Sequence, residues 1–245
     1  MGELDGRVAI VTGSSSGIGE ATAQRLSALG ATVVVNSSSS VEAGRAASAA
    51  LPGESMYVQA DIADQAQGRA LLDQTLAAYG RLDILVNNAG WTTVVPHNDL
   101  DALTDEIFAK TFQVNVFGTW WLTKAAIPHL KQSPDGNVVT ITSMAGLRAL
   151  GSSMAYAMTK AALNHMTTLL AKSHAPVRFN AVAPGLVATP WTETWDAQHA
   201  AIARMAPLKR SATAEDCAEV VLAFLRSSYV TGQVWAVDGG TTLVM

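Results

Sequence analysis

An open α/β sheet of about seven parallel strands, doubly wound with helices on both faces, is the fold this sequence predicts. Three observations carry the prediction. Short β-branched runs such as Val8 to Val11 and Val33 to Val35 are apolar without alternation, as strands buried on both faces must be. Stretches with helical spacing separate them, so successive strands are joined by crossovers and lie parallel. No linker, composition shift or repeat divides residues 1 to 245, so a single domain is expected.

Taken in order, Val8 to Val11 is the first strand, bounded by Gly6 and Gly13, and the stretch Ser14 to Gly19 turns it into a helix over Glu20 to Leu29 that stops at Gly30. Val33 to Val35 is strand two, followed by an alanine-rich helix over Val41 to Ala50. Strand three, Met56 to Ala60, ends at Asp61 before a helix over Ala63 to Tyr79. Leu82 to Val86 is strand four and ends in Asn87-Asn88-Ala89-Gly90. A long helix over Thr104 to Leu130 is expected to be interrupted near Pro128, which has no N–H to donate. Strand five, Val138 to Thr142, leads through the Ser143 loop to a helix carrying Tyr156, and Phe179 to Val182 is strand six. Residues 185 to 206 show no regular pattern and are expected to form a lid over a site. A helix over Ala214 to Leu225 and a strand over Val234 to Val237 complete the chain.

Hydrophobic residues make up 49% and charged residues 15%, which excludes a disordered chain and points to burial that includes subunit interfaces. A net charge of −4 without a basic run gives nucleic acid nothing to bind. Cys217 is the only cysteine, and His97, His129, His165, His174 and His199 lack metal-ligand spacing, so neither a disulfide nor a metal is expected. The N-terminus carries two acids and enters a strand at once, unlike a secretion signal. No apolar stretch is long enough to span a bilayer, so a cytoplasmic protein with no membrane partner is the expectation.

The stretch from Ser143 to Lys160 places a hydroxyl, a phenol and an amine in otherwise apolar sequence. Tyr156 and Lys160, four apart, share one helix face. Ser152 or Ser153 can cap that helix, which leaves Tyr156 in the first turn, where the dipole favours a phenolate. Lys160 opposes the same dipole, and a local rule broken in a consistent sequence points to function. At the other conspicuous turn, Gly13, Gly17 and Gly19 follow the first strand and open a helix. Glycines there permit close approach to a diphosphate, whose charge the helix N–H groups meet.

Thr12-Gly-Ser-Ser-Ser-Gly-Ile-Gly19, Asn87-Asn-Ala-Gly90, Asn115, Ser143, Tyr156-Ala-Met-Thr-Lys160 and Pro184-Gly185 stand in the order and approximate spacing of the short-chain dehydrogenase/reductase family. The resemblance runs from about Gly6 to Gly240. The ending Thr231-Gly-Gln-Val-Trp-Ala-Val-Asp-Gly-Gly240 resembles members related to 3-oxoacyl reductases. It implies a Rossmann-like fold, a nicotinamide cofactor, a carbonyl or alcohol substrate and a homotetramer. It also implies a site built from Gly13, Ser15, Ser16, Gly17, Ile18, Gly19, Asn36, Ser37, Ser38, Asp61, Ile62, Asn88, Ala89 and Gly90, with Pro184, Gly185, Val187 and Thr189 beside the nicotinamide carboxamide.

An acid at the end of strand two would bind the adenosine ribose and repel a 2′-phosphate, but Asn36 stands there, followed by Ser37 to Ser40. The missing carboxylate favours NADP(H), with NAD(H) possible. Asp61 resembles the family's adenine contact and could instead cap the next helix. Oxidising an alcohol or reducing a ketone needs a group that releases and regains a proton. A nearby ammonium would lower the Tyr156 pKa toward that task. Ser143 would donate to the substrate oxygen. By resemblance, Lys160 also holds the nicotinamide ribose, and Asn115 keeps a water that relays protons to Lys160. From loop position alone, Trp91, Met144, Leu147, Trp191 and Trp195 would wall the substrate, and the apolar Tyr156 helix and Trp120–Trp121 would face another subunit. An NAD-dependent dehydrogenase and a nucleotide-binding regulator without turnover are the competing readings.

Overall fold

The computed structural model describes residues 2–245. Seven strands form one parallel sheet in the order β3-β2-β1-β4-β5-β6-β9. They are β1 (Val8–Val11), β2 (Thr32–Ser37), β3 (Ser55–Gln59), β4 (Ile84–Asn87), β5 (Asn137–Ile141), β6 (Arg178–Pro184) and β9 (Val234–Val237). A two-stranded pair, β7 (Val187–Ala188) and β8 (Ala212–Thr213), lies apart from it.

The uninterrupted apolar runs are explained by two cores. In β1, Ala9 and Val11 point to one face and Ile10 to the other; β2 repeats the division with Val33 and Val35 against Val34. The first face is covered by α1 (Gly17–Ala28), α2 (Val41–Ala49) and α8 (Ala214–Arg226), through Leu26, Ala47 and Phe224 among others. The second is covered by α3 (Gln65–Tyr79), α5 (Thr119–Leu130) and α6 (Met154–Ser173), through Leu71, Leu122 and Leu170. The strand order reverses between β1 and β4, which opens a crevice at their carboxyl ends.

Two segments differ from the sequence reading. Pro128 lies inside α5, two residues before its end, without ending it earlier. The interruption comes earlier, where α4 (Asp105–Phe112) passes through a π-helical stretch, Gln113–Gly118, before α5. The expected irregular lid is largely structured: Pro190–Thr192 is a 3-10 turn and Asp196–Met205 is a helix, α7. Ile202 is its one buried residue, so the helix offered no apolar stripe to read.

Helix α3 is capped by Asp64, whose carboxylate accepts from Ala66 N at 2.8 Å and Gln67 N at 3.2 Å, and it ends on Gly80 at φ 72°. Asp61 therefore leaves that cap to Asp64, and its carboxylate accepts only from Ala63 N, at 2.9 Å. Ser153 caps α6, accepting from Tyr156 N at 3.2 Å, which sets Tyr156 in the first turn.

Candidate active site

A cleft of about 670 Å³ opens at the carboxyl ends of β1, β4, β5 and β6 and runs from the glycine turn to α7. Its first wall is the turn between β1 and α1. Gly13 and Gly17 have φ of 60° and 59°, values that only glycine adopts freely. A Cβ on Gly13 would meet Ala89 Cα at 2.9 Å, and one on Gly19 would meet Asn88 Nδ2 at 2.5 Å, so the turn and the end of β4 are in backbone contact. Asn88 Nδ2 ties them, donating to Thr12 O at 2.9 Å and Gly13 O at 2.8 Å. Ser16 precedes α1 without capping it by its side chain and lines the cleft. An uncapped helix start behind bare glycine backbone fits the diphosphate of a dinucleotide.

Gly13, Ser16, Gly17, Ile18, Asn36, Ser38, Asp61, Ile62, Asn88, Ala89 and Gly90 line this wall; Ser15, Gly19 and Ser37 do not. Asn36 is 1% exposed, and its amide is committed. Nδ2 donates to Val58 O at 3.1 Å and Ala60 O at 3.0 Å, while Oδ1 accepts from Gly13 N at 3.3 Å. It fastens the glycine turn to β3. Ser37 Oγ is likewise spent on Ser40 O at 3.0 Å and Tyr57 Oη at 2.8 Å. Of the neutral stretch after β2, Ser38 is the hydroxyl left facing the cleft.

Ser143, Tyr156 and Lys160 converge at the middle of the cleft. Ser143 Oγ accepts from Ala145 N at 3.1 Å, capping the turn after β5, and stands close enough to the Tyr156 phenol to favour its ionised form. Lys160 is 4% exposed; its Nζ lies 5.5 Å from the Tyr156 ring centroid and donates to Ile141 O at 2.9 Å. Burial pushes the Tyr156 phenol up to about 12 despite Ser143, and pushes the Lys160 ammonium down to about 8. The Tyr156 direction is opposite to the lowering expected from the sequence, because desolvation outweighs the effect of Ser143.

Asn115 lies in the π-helical stretch, fully buried. Its Oδ1 accepts from Trp91 N at 2.7 Å, and its Nδ2 donates to Trp91 O at 3.0 Å and Thr159 Oγ1 at 3.1 Å. A Cβ on Gly90 would lie 3.4 Å from Asn115 Oδ1 and 3.7 Å from Lys160 Nζ, so both atoms border the same space.

Beyond the centre, Met144, Trp191 and Trp195 line the cleft as expected, joined by Pro184, Gly185, Val187 and Thr189. Trp91 and Leu147 do not line it. Trp91 is held by Asn115 through its backbone, and Lys110 Nζ sits 4.4 Å over its ring. Sequence reasoning missed Thr92, Val94, Leu150, Ser152, Gln198 and Met205, which also line the cleft. The periodicity of α7 gave no signal for the last two, but Thr92 stands two residues after the Asn87–Gly90 motif, and Ser152, inside the Ser143–Lys160 stretch, was read only as a possible helix cap. Cys217 is buried and its thiol is pushed up to about 12 by burial and by Asp216 and Glu215, which leaves it inert. Among the described residues no cluster of three His, Cys, Asp or Glu could hold a metal, and no helix is long and apolar enough to cross a membrane.

A family profile described as Enoyl-(Acyl carrier protein) reductase matches residues 13–242. A granaticin polyketide synthase putative ketoacyl reductase 2 from Streptomyces violaceoruber is 50% identical over 97% of this chain and 96% of its own length. The 3-oxoacyl-[acyl-carrier-protein] reductase FabG of Thermotoga maritima is 34% identical over 98% of this chain and 99% of its own. Among solved structures, a 3-ketoacyl-(acyl-carrier-protein) reductase from Brucella melitensis complexed with NADH superposes with a TM-score of 0.92, at 29% identity over 98% of this chain and 100% of the other.

Proposed function

The chain belongs to the short-chain dehydrogenase/reductase family of NAD(P)-dependent oxidoreductases, and from that premise we propose that it is an NADP(H)-preferring, ketoacyl-reductase-like enzyme interconverting a ketone and a secondary alcohol. The observation that carries this reading is the convergence of Ser143, Tyr156 and Lys160 on one cleft beside an uncapped helix start. A bound nicotinamide supplies or takes up the hydride. Tyr156 Oη gives its proton to the substrate oxygen in reduction and takes it back in oxidation. A phenol held neutral well above pH 7 is in the protonation state that ketone reduction starts from. Ser143 Oγ donates to the same oxygen as charge gathers there. Lys160 has one N–H on Ile141 O and two left for the nicotinamide ribose, and its charge, placed beside the ring, offsets the cost of a phenolate. Asn115 fixes the loop at Trp91 against Thr159, and the space at Gly90 between its Oδ1 and Lys160 Nζ is where a relay water would sit.

Preference for NADP(H) is supported by the neutral cleft around Ser38, where no carboxylate from β2 opposes a 2′-phosphate. The NADH complex of the Brucella relative favours the second reading, an NAD-dependent enzyme. We also infer one catalytic domain, with residues 185–206 as its lid, working in the cytoplasm as a homotetramer. Exposed Phe117, Trp120 and Met158 on the π-helical stretch, α5 and α6 support subunit contacts there. NADPH and NADH oxidation measured with a ketone panel that includes a 3-oxoacyl thioester, beside Tyr156→Phe, tests the proposal. Cofactor binding without turnover, or an active Phe variant, overturns it, and the ratio of the two cofactors' dissociation constants decides between the readings.

A further inference from the structure

We propose that the Thr92 and Ser152 hydroxyls form a second polar anchor in the cleft, which holds a second oxygen of the substrate while Ser143 and Tyr156 hold the one that reacts. The two residues stand on different loops, after β4 and before α6, joined by three contacts. Thr92 Oγ1 lies 2.6 Å from Ser152 Oγ, Val95 N donates to Ser152 O at 2.8 Å, and His97 Nε2 lies 3.1 Å from Gly151 O. Both side chains are half-buried and line the cleft, in a wall otherwise made apolar by Val94 and Leu150.

Their place relative to the reaction centre is fixed from two sides. A Cβ on Gly151 would lie 3.7 Å from Tyr156 Cδ1, so the chain entering Ser152 abuts the phenol ring. Thr92 follows two residues after Gly90, which borders Lys160 Nζ. A proton count then leaves the pair with capacity. Two hydroxyls carry two protons, and one joins them. The other has Thr93 O as its protein acceptor, from Thr92 Oγ1 at a long 3.3 Å. A donor so weakly engaged in an apolar wall is stabilised by a ligand oxygen, and it discriminates against analogues that lack one.

The inference rests on the ketone-reducing reading and narrows its substrate to ketones with a second oxygen near the first, as a 3-oxoacyl group has. The test compares a 3-oxoacyl thioester with a ketone of similar length whose thioester carbonyl is replaced by methylene. Wild type, Thr92→Val, Ser152→Ala and the control Thr92→Ser are assayed on both, and NADPH dissociation constants are measured for each. The wild type is expected to prefer the thioester. Thr92→Val and Ser152→Ala should each lower kcat/KM for it about tenfold, mainly through KM, with the monoketone and NADPH binding within twofold of wild type and Thr92→Ser near wild type. Equal losses on both ketones, or no loss on either, overturn the anchor while leaving ketone reduction intact. A wild type that reduces neither ketone overturns the functional reading and the anchor with it.

Discussion

At the amino end of the sheet Asp83 has no exposure and accepts four hydrogen bonds, whereas at the carboxyl end Lys160 is almost as buried and makes one. Burial alone would raise the Asp83 carboxyl, but Arg81, Ser133 and Val8 N together hold it below its ordinary value. Arg178 nearby is equally provided for, with Asp135 and the carbonyls of Phe224, Leu225 and Ser227 around its guanidinium. At the opposite end, Tyr156 and Lys160 are displaced toward their neutral forms, the Ser16 hydroxyl caps nothing, and the second proton of the Thr92–Ser152 pair has only a long contact to Thr93 O. One end spends its ionisable groups on the fold; the other keeps them for a ligand, at a cost in stability.

Substitutions at the two ends should therefore separate activity from stability. The largest expected effect is Tyr156→Phe, which should lower kcat about a thousandfold while leaving the Tm and the NADPH dissociation constant near wild type, measured by steady-state kinetics, calorimetry and titration. A Tm shift as large as the kinetic one would erase the distinction. Arg178→Met should do the reverse, removing about 2 kcal/mol of stability in urea unfolding by leaving Asp135 with Arg7 alone and the carbonyls of Phe224, Leu225 and Ser227 without their charged donor, with kcat unchanged at temperatures where the fold survives.

Lys160→Met should abolish activity and raise stability by about 2 kcal/mol near neutral pH, because a buried ammonium disappears. Its sign with pH is fixed by the depressed pKa. The folded protein sheds the proton near pH 8 and the unfolded chain near 10.5, so wild-type stability should rise across that window and the Met variant's should not. Urea midpoints between pH 7 and 10 check this. The smallest expected effect is Ser38→Asp, which should weaken NADPH about tenfold and NADH little, read from the two dissociation constants.

Strands, crossovers and the glycine turn were legible because each is written in contiguous residues. The pairing of Tyr156 with Lys160 was legible from helix geometry, and their approach to Ser143 followed from strand five ending just before it. What escaped depends on distant partners. The sequence does not show that Asn36, which lines the cleft, also ties the glycine turn to β3 through the carbonyls of Val58 and Ala60. Tyr156 reads as acidified by Lys160 until the burial of both is known. Helix α7 has no apolar stripe, and the π-helical bend at Asn115 follows no proline, so neither marked the sequence locally.

Trp191 gives the cleft a built-in lamp. A Cβ on Gly90 would lie 3.7 Å from its indole edge, beside Lys160 Nζ, while Trp195 lines the cleft farther along and the other four tryptophans supply a background. A dihydronicotinamide seated there would drain that indole's emission by energy transfer, so titrating Trp191→Phe against wild type would isolate the optical signal of ligand arriving at one known spot.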